Sequence, residues 1–163
     1  MNSLTAIAGV AAVLGAALVG GVFFTFSSFV MRALARLPPA EGIAAMQSIN
    51  VTVLNPSFLG VFAGTAVLSL WMIVVAWKSW GSHSAVLFLA GAIFYLIGTF
   101  LVTGIGNVPL NDQLAAVAAT DPAAVEVWNL YLERWTMLNT VRTAAAMISA
   151  LAYTLGLLEC GRV

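Results

Sequence analysis

Trp128-Asn-Leu-Tyr131-Leu-Glu-Arg-Trp135-Thr-Met-Leu-Asn139-Thr-Val-Arg142 is the stretch on which the reading of this chain turns. Its singular residues stand at 128, 131, 135, 139 and 142, at spacings of three, four, four and three. At about 3.6 residues per helical turn these side chains share one face. The run continues from Thr143 to Leu158 without a charged residue. Indoles, a phenol, an amide and a guanidinium thus lead into a segment suited to lipid. Arg142 lies just inside it, where an unpaired charge costs about 2.5–3.5 kcal/mol on insertion scales.

Composition agrees. Of 163 residues, 62% are hydrophobic and 7% charged, with a mean hydropathy of +1.04. Soluble domains carry about 25% charged residues, so the chain reads as an integral membrane protein before any motif is considered. Six basic and six acidic residues cancel, and nucleic acid is not indicated as a partner. Cys160 is the sole cysteine and His83 the sole histidine. Ligands so few argue against an all-protein zinc, copper or iron–sulfur centre and against histidine-ligated haem. Neither a Ser/His/Asp or Cys/His set nor a glycine-rich phosphate loop is present.

Working outward, four apolar runs at about 4–31, 56–77, 84–106 and 136–158 each reach the roughly 20 residues that cross the hydrocarbon. The expected fold is all-α: a single-domain, up-down-up-down four-helix bundle with both termini on one side. Residues 1–8 lack Lys and Arg, and the first run passes on into Val22-Phe-Phe-Thr-Phe26. It therefore reads as a retained span rather than a cleaved leader. Leu37-Pro38-Pro39 stops it. Ile43, Met46, Ile49 and Val53 then recur at helical spacing, which predicts a short helix on the membrane surface or folded over the bundle mouth. Asn55-Pro56 reads as a cap that opens span two, and Trp71, Trp77, Trp80 and Lys78 as its interfacial belt. Pro109 is expected to end span three, with a separate short helix over 112–119 for which Asn111 is a candidate cap. Asp121-Pro122 opens the last helix, whose roughly 37 residues measure about 55 Å against ~30 Å of hydrocarbon. It must project from the membrane and carry Trp128 and Tyr131 with it.

With alternating directions, one side of the bundle receives Thr25, Ser28, Asn50, Thr103, Asn107, Asn111, Trp128, Tyr131, Trp135, Asn139 and Arg142, and the other half is almost wholly apolar. A polar, aromatic-lined pocket with an apolar floor is expected there. Arg142 would hold an anionic ligand group, helped by Asn107 and Asn139. The plainer alternative is that Arg142 snorkels to the interface or pairs with Glu133, Glu126, Glu41 or Asp112. Thr25 and Ser28 equally fit hydroxyls bonded back to their own helix.

Three segments carry a resemblance: Gly21-Val-Phe-Phe-Thr-Phe-Ser27, Asn107-Val-Pro-Leu-Asn111, and the Trp128–Arg142 stripe. Together they resemble the anthrone-oxygenase-like family of small four-span membrane proteins. The resemblance implies oxidation of anthrones to anthraquinones without a recognised cofactor motif, and it carries Asn107, Asn111, Trp135, Asn139 and Arg142 over as site residues. The expected function is a membrane-embedded oxidoreductase or oxygenase for a small hydrophobic phenol, with no cofactor. In that reading Arg142, Asn139, Asn107 and Asn111 act on the reacting oxygens, while Trp128, Tyr131, Trp135, Thr25, Ser28, Asn50 and Thr103 contact the ring. Asp112 and Glu133 both stay open as the base. Rival readings are a carrier of an apolar acid, lipid or quinone, and an accessory subunit. The partners indicated are a hydrophobic small molecule, the bilayer and further copies of the chain as a homo-oligomer. The location expected is a bacterial inner membrane with cytoplasmic termini, from Lys78, Arg162 and His83 weighed against Arg32, Arg36 and Arg134.

Overall fold

A computed structural model describes residues 2–161, all of whose regular structure is helical. Arg162, counted above toward orientation, lies outside the described residues. The helices are α1 (Ser3–Leu34), α2 (Pro39–Thr52), α3 (Pro56–Lys78), α4 (His83–Ala115) and α5 (Ala124–Cys160), and all but α2 are long and apolar enough to cross a membrane. Local chemistry sets several starts. Asn55 Oδ1 accepts from Phe58 N at 3.0 Å with Pro56 as the first helical residue, and Ser82 Oγ accepts from Ala85 N at 3.2 Å. Asp121-Pro122 does not open the last helix as expected: α5 starts at Ala124 with Ala123 at its cap and no side chain capping it, and Asp121 Oδ1 accepts from Ala123 N at 2.9 Å in the preceding turn.

The bundle is organised around α5. Along α1 the partners run backwards in sequence: Gly9 faces Leu157, Gly20 faces Ala146, and Phe23 O meets Asn139. Along α4 they do the same, Phe88 with Gly156, Gly91 with Tyr153, Gly98 with Ala145 and Gly106 with Leu138. Both helices are therefore antiparallel to α5. α3 lies antiparallel to α1, with Gly15 against Thr65 and the Phe23 ring 6.3 Å from that of Phe58. Tyr95 Oη donates to Phe62 O at 3.0 Å and Ser149 Oγ to Gly91 O at 2.7 Å, satisfying polar groups that have no water to turn to.

Close approach between α4 and α5 depends on Gly98. A Cβ there would stand 2.5 Å from Ala145 Cβ, whereas one at Gly60 on α3 would meet nothing within 4 Å. Gly98→Ala is expected to destabilise by about 1–3 kcal/mol through overpacking. Gly60→Ala should instead gain up to about 1 kcal/mol of helix propensity. Thermal unfolding in detergent of the two variants measures both signs. Loss at Gly60 equal to that at Gly98 would show that backbone flexibility, rather than contact, explains the glycines.

One further feature departs from the sequence reading, and a second decides between two placements it left open. The first is that Pro109 does not end span three, and the predicted helix over 112–119 is not separate. α4 runs unbroken to Ala115 because Phe94–Leu101 and Thr103–Asn107 are wound as π-helix, and Val108 N bonds to Thr103 O, five residues back. Where α-helix resumes, Pro109 occupies its first turn, where no N–H is required. Asn111 is thus inside a helix and caps nothing.

The second concerns the projecting end of α5. It is not bare: Met31 and Leu34 of α1, Ile43 and Met46 of α2 and Leu114 of α4 close over Ala124, Trp128, Tyr131 and Trp135 as one apolar cluster. Trp128 is only 2% exposed. Gln47 Nε2 ties α2 to the end of α4 through Leu114 O at 2.8 Å and Val117 O at 3.0 Å. α2 therefore folds over the mouth of the bundle.

Candidate functional site

Between that cap and the bundle lies a cavity of about 480 Å³, within the ~300–1,000 Å³ usual for small-molecule sites. Its walls are mainly apolar, with Phe23 and Phe26 from α1, Ile49 from α2, Phe58 and Phe62 from α3 and Phe100 from α4. The polar groups reaching it are Gln47, Asn50, Thr103, Asn111, Asp112 and Arg142, together with the Trp135 ring. A larger cavity of about 710 Å³ lies at the opposite end, beside Lys78, His83 and Cys160. The smaller cavity differs from the larger in having a buried cation, Arg142, in its wall.

Arg142 is 4% exposed. Its Nη1 donates to Thr103 Oγ1 at 3.1 Å and its Nη2 to Asn139 Oδ1 at 2.8 Å. The guanidinium carbon stands 4.1 Å from the Phe23 ring centroid and 5.3 Å from that of Trp135. No carboxylate is among these partners, and Nε is buried with no partner at all. Two neutral hydrogen bonds and cation–π contact of about 0.5–2 kcal/mol each offset only part of the several kcal/mol that burying a charge costs. The snorkelling and acid-paired alternatives are both absent from this geometry.

Asn139 is held in turn. Its Nδ2 donates to Phe23 O at 2.7 Å and to Ser27 Oγ at 2.7 Å, which points Oδ1 at the guanidinium. Thr99 Oγ1 donates to the Arg142 carbonyl at 3.4 Å. Asn107 is buried with Nδ2 on Trp135 O at 3.2 Å, and its Oδ1 has no partner. At the upper wall, Asn111 Oδ1 accepts from both Tyr131 Oη and Trp135 Nε1, each at 2.8 Å, while Asn50 Nδ2 donates to Tyr131 Oη at 3.2 Å. The three rings of α5 stack in sequence, Trp128 on Tyr131 and Tyr131 on Trp135, both at 5.8 Å.

Arg142, Asn111, Asn50, Thr103 and Trp135 thus meet at the cavity. Asn107, Asn139 and Tyr131 stand behind its wall. Trp128 is taken into the capping cluster and does not reach the cavity. Thr25 and Ser28 do not reach it either: Thr25 Oγ1 donates to Val22 O at 2.6 Å and Ser28 Oγ to Phe24 O at 2.7 Å. The hydroxyl that faces α5 is Ser27, bonded by Asn139 and by Thr140 Oγ1 at 3.0 Å. Ser27 stands one turn after Phe23, whose carbonyl also meets Asn139, so it continues the face that α1 turns to α5. Phe23 and Gln47 were missed as wall residues, whereas Asp112, one of the two candidate bases, lines the cavity. Glu133 faces a separate groove, beside Arg134 and Pro109.

The fold and this site define a class: a small four-span helical protein with a mostly apolar cavity and an uncompensated buried arginine. The chain belongs to the anthrone oxygenase family, whose profile matches residues 51–152, more than half of it. The matched stretch contains Asn107–Asn111 and Trp128–Arg142; Gly21–Ser27 lies outside it. No curated protein and no solved structure matches the chain. Among the described residues, no three His, Cys, Asp or Glu side chains gather as a metal site.

Proposed function

We propose that this protein is a membrane-embedded oxygenase that binds an anthrone-like phenol as its anion and delivers it to O₂. The observation that carries the reading is the Arg142 guanidinium, buried, oriented from both sides and lacking an acid. Family membership supports an oxygenase-like activity, and the mostly apolar wall fits a fused aromatic ring system.

In this mechanism Asp112, the one carboxylate that lines the cavity among the described residues, takes the substrate proton and later returns it. Arg142 stabilises the enolate oxygen, and burial of the cavity strengthens that interaction. Thr103 and Asn139 hold the fork in place, and the faces of Phe23 and Trp135 bracket it. The electron-rich carbon opposite the enolate oxygen gives an electron to O₂, and the two radicals join as a C–O bond. A proton returns to the distal oxygen; the remaining C–H hydrogen is then lost as the O–O bond breaks. One anthrone and one O₂ yield one quinone and one water, so the four electrons leaving carbon reduce one O₂.

Oxygen uptake by detergent-purified protein with an anthrone added should proceed one-to-one with quinone formation and without accumulation of peroxide. An absorption spectrum and metal analysis of the same sample test the cofactor-free chemistry, which a Soret band or one metal per chain would overturn. Tight binding without oxygen uptake would make the protein a carrier instead.

A further inference from the structure

The residues that line the cavity and are also exposed mark its rim. They are Val51 on α2, Leu54 in the connection after it, Leu59 on α3, and Phe100, Gly104, Val108, Asp112 and Ala115 on α4. Each of these rim residues is exposed, Leu54 to 66%. Leu59, Phe100, Gly104 and Val108 all belong to helices long and apolar enough to cross a membrane. The outer faces of those helices continue the same surface through Val67, Leu70, Ile97 and Ile105. Between Leu59 on α3 and Phe100, Gly104 and Val108 on α4 the opening is bordered only by apolar residues and looks onto acyl chains, while Asp112 stands farther along α4.

Its lower edge is a ladder of rings. Phe62 of α3 stacks on Phe100 of α4 at 5.1 Å and on Phe58 at 5.8 Å, bridging the two helices beneath the opening. Above that bridge Gly104 leaves a gap, since a Cβ there would meet nothing within 4 Å. The capping cluster covers the bundle end over Trp128 and Tyr131.

We infer that the site loads laterally from the bilayer, through the gap between α3 and α4 above Phe62 and Phe100, and that its ligand is a neutral, planar aromatic molecule dissolved in the membrane. The inference rests on the cavity being the ligand site proposed above. It adds a source for the ligand and an order of events: the molecule arrives neutral through an apolar mouth and becomes an anion only beside Arg142. It also separates two functions along one path, admission by shape at the rings and recognition by charge at the far wall.

The test uses the full chain in phosphatidylcholine vesicles, with a hydroxyanthraquinone as probe and its quenching of tryptophan fluorescence as readout, followed by stopped flow. Gly104→Phe adds no indole and points bulk into open space. It is expected to slow association from the vesicles at least tenfold and to slow dissociation with it, as obstruction of a passage must. Phe100→Ala should raise both rates by removing half of the bridge. Doubling the lipid at constant total probe should about halve the association rate, because the membrane concentration sets it. Unchanged rates in both variants, or an association rate that follows aqueous probe and ignores lipid, would overturn the lateral route; absence of any binding from vesicles would overturn it too. Binding that behaves as expected without oxygen uptake from an anthrone would leave the lateral route standing and sink the oxygenase reading instead.

Discussion

Arg142→Lys is expected to lower ligand affinity and turnover by roughly 10–150-fold, the equivalent of about 1.5–3 kcal/mol for a charge-assisted hydrogen bond. Lysine keeps the charge but has one point of attachment where the guanidinium has a planar fork. Here the fork is already committed on two sides, to Thr103 and Asn139. A lysine ammonium cannot hold both partners and still present parallel donors to an anion. Arg142→Met separates the site from the scaffold. It leaves Asn139 Oδ1 without its donor, a cost of about 1–3 kcal/mol, but it removes a buried charge that has no acid partner and costs several. The methionine variant should therefore melt no earlier than the parent while losing turnover, the trade of stability for function expected at a site residue. Oxygen uptake and thermal unfolding on both variants decide the matter. Full activity in Arg142→Lys, or early melting of Arg142→Met, would make Arg142 part of the scaffold.

Asn111→Leu should act in the opposite way, on the fold first. Its Oδ1 is the shared acceptor of Tyr131 Oη and Trp135 Nε1. Removing it strands two donors in the capping cluster at about 1–3 kcal/mol each, or about 2–6 kcal/mol together. For a chain of this size that corresponds to a fall in Tm of roughly 5–20 °C. The loss should also reach function, because the Trp135 indole forms part of the cavity wall and one flank of Arg142. Asn111→Asp keeps an oxygen acceptor in place and is expected to recover most of the stability. Differential scanning fluorimetry of the two variants checks this. Equal melting of the leucine variant and the parent would show the two bonds to be incidental.

How much of this was legible in the chain can be argued residue by residue. The spans were readable because hydrocarbon demands long uncharged helices, and composition reports that demand directly. The cap at Asn55 involves a neighbour three residues away, so short-range chemistry suffices. The α5 stripe was readable because one regular helix carries it, and all five of its marked side chains are buried. Arg142 drew notice for the same reason that it matters: a charge in that place has a cost that something must justify.

The tertiary structure alone decided which marked residues meet. Periodicity assigns a face to each helix only while the winding stays regular, and it fails where π turns shift the phase. Pro109 rides inside α4 for that reason, where a stop was expected. Which face of α1 meets α5, and so Ser27 rather than Thr25 or Ser28, was set by the packing of the two helices. Spacing left α2 either on the membrane surface or over the bundle mouth, and only the packing puts it on α5, drawing Trp128 into the cap and leaving Trp135 at the cavity. That outcome depends on Ile43, Met46 and Leu114, ordinary apolar residues from two other helices. Sequence by itself determined that an arginine would stand in apolar surroundings on a polar stripe. Whether it would find an acid was a matter of which helices pack together, and the packing surrounds it with Phe23, Trp135, Thr103 and Asn139, which orient the charge without neutralising it.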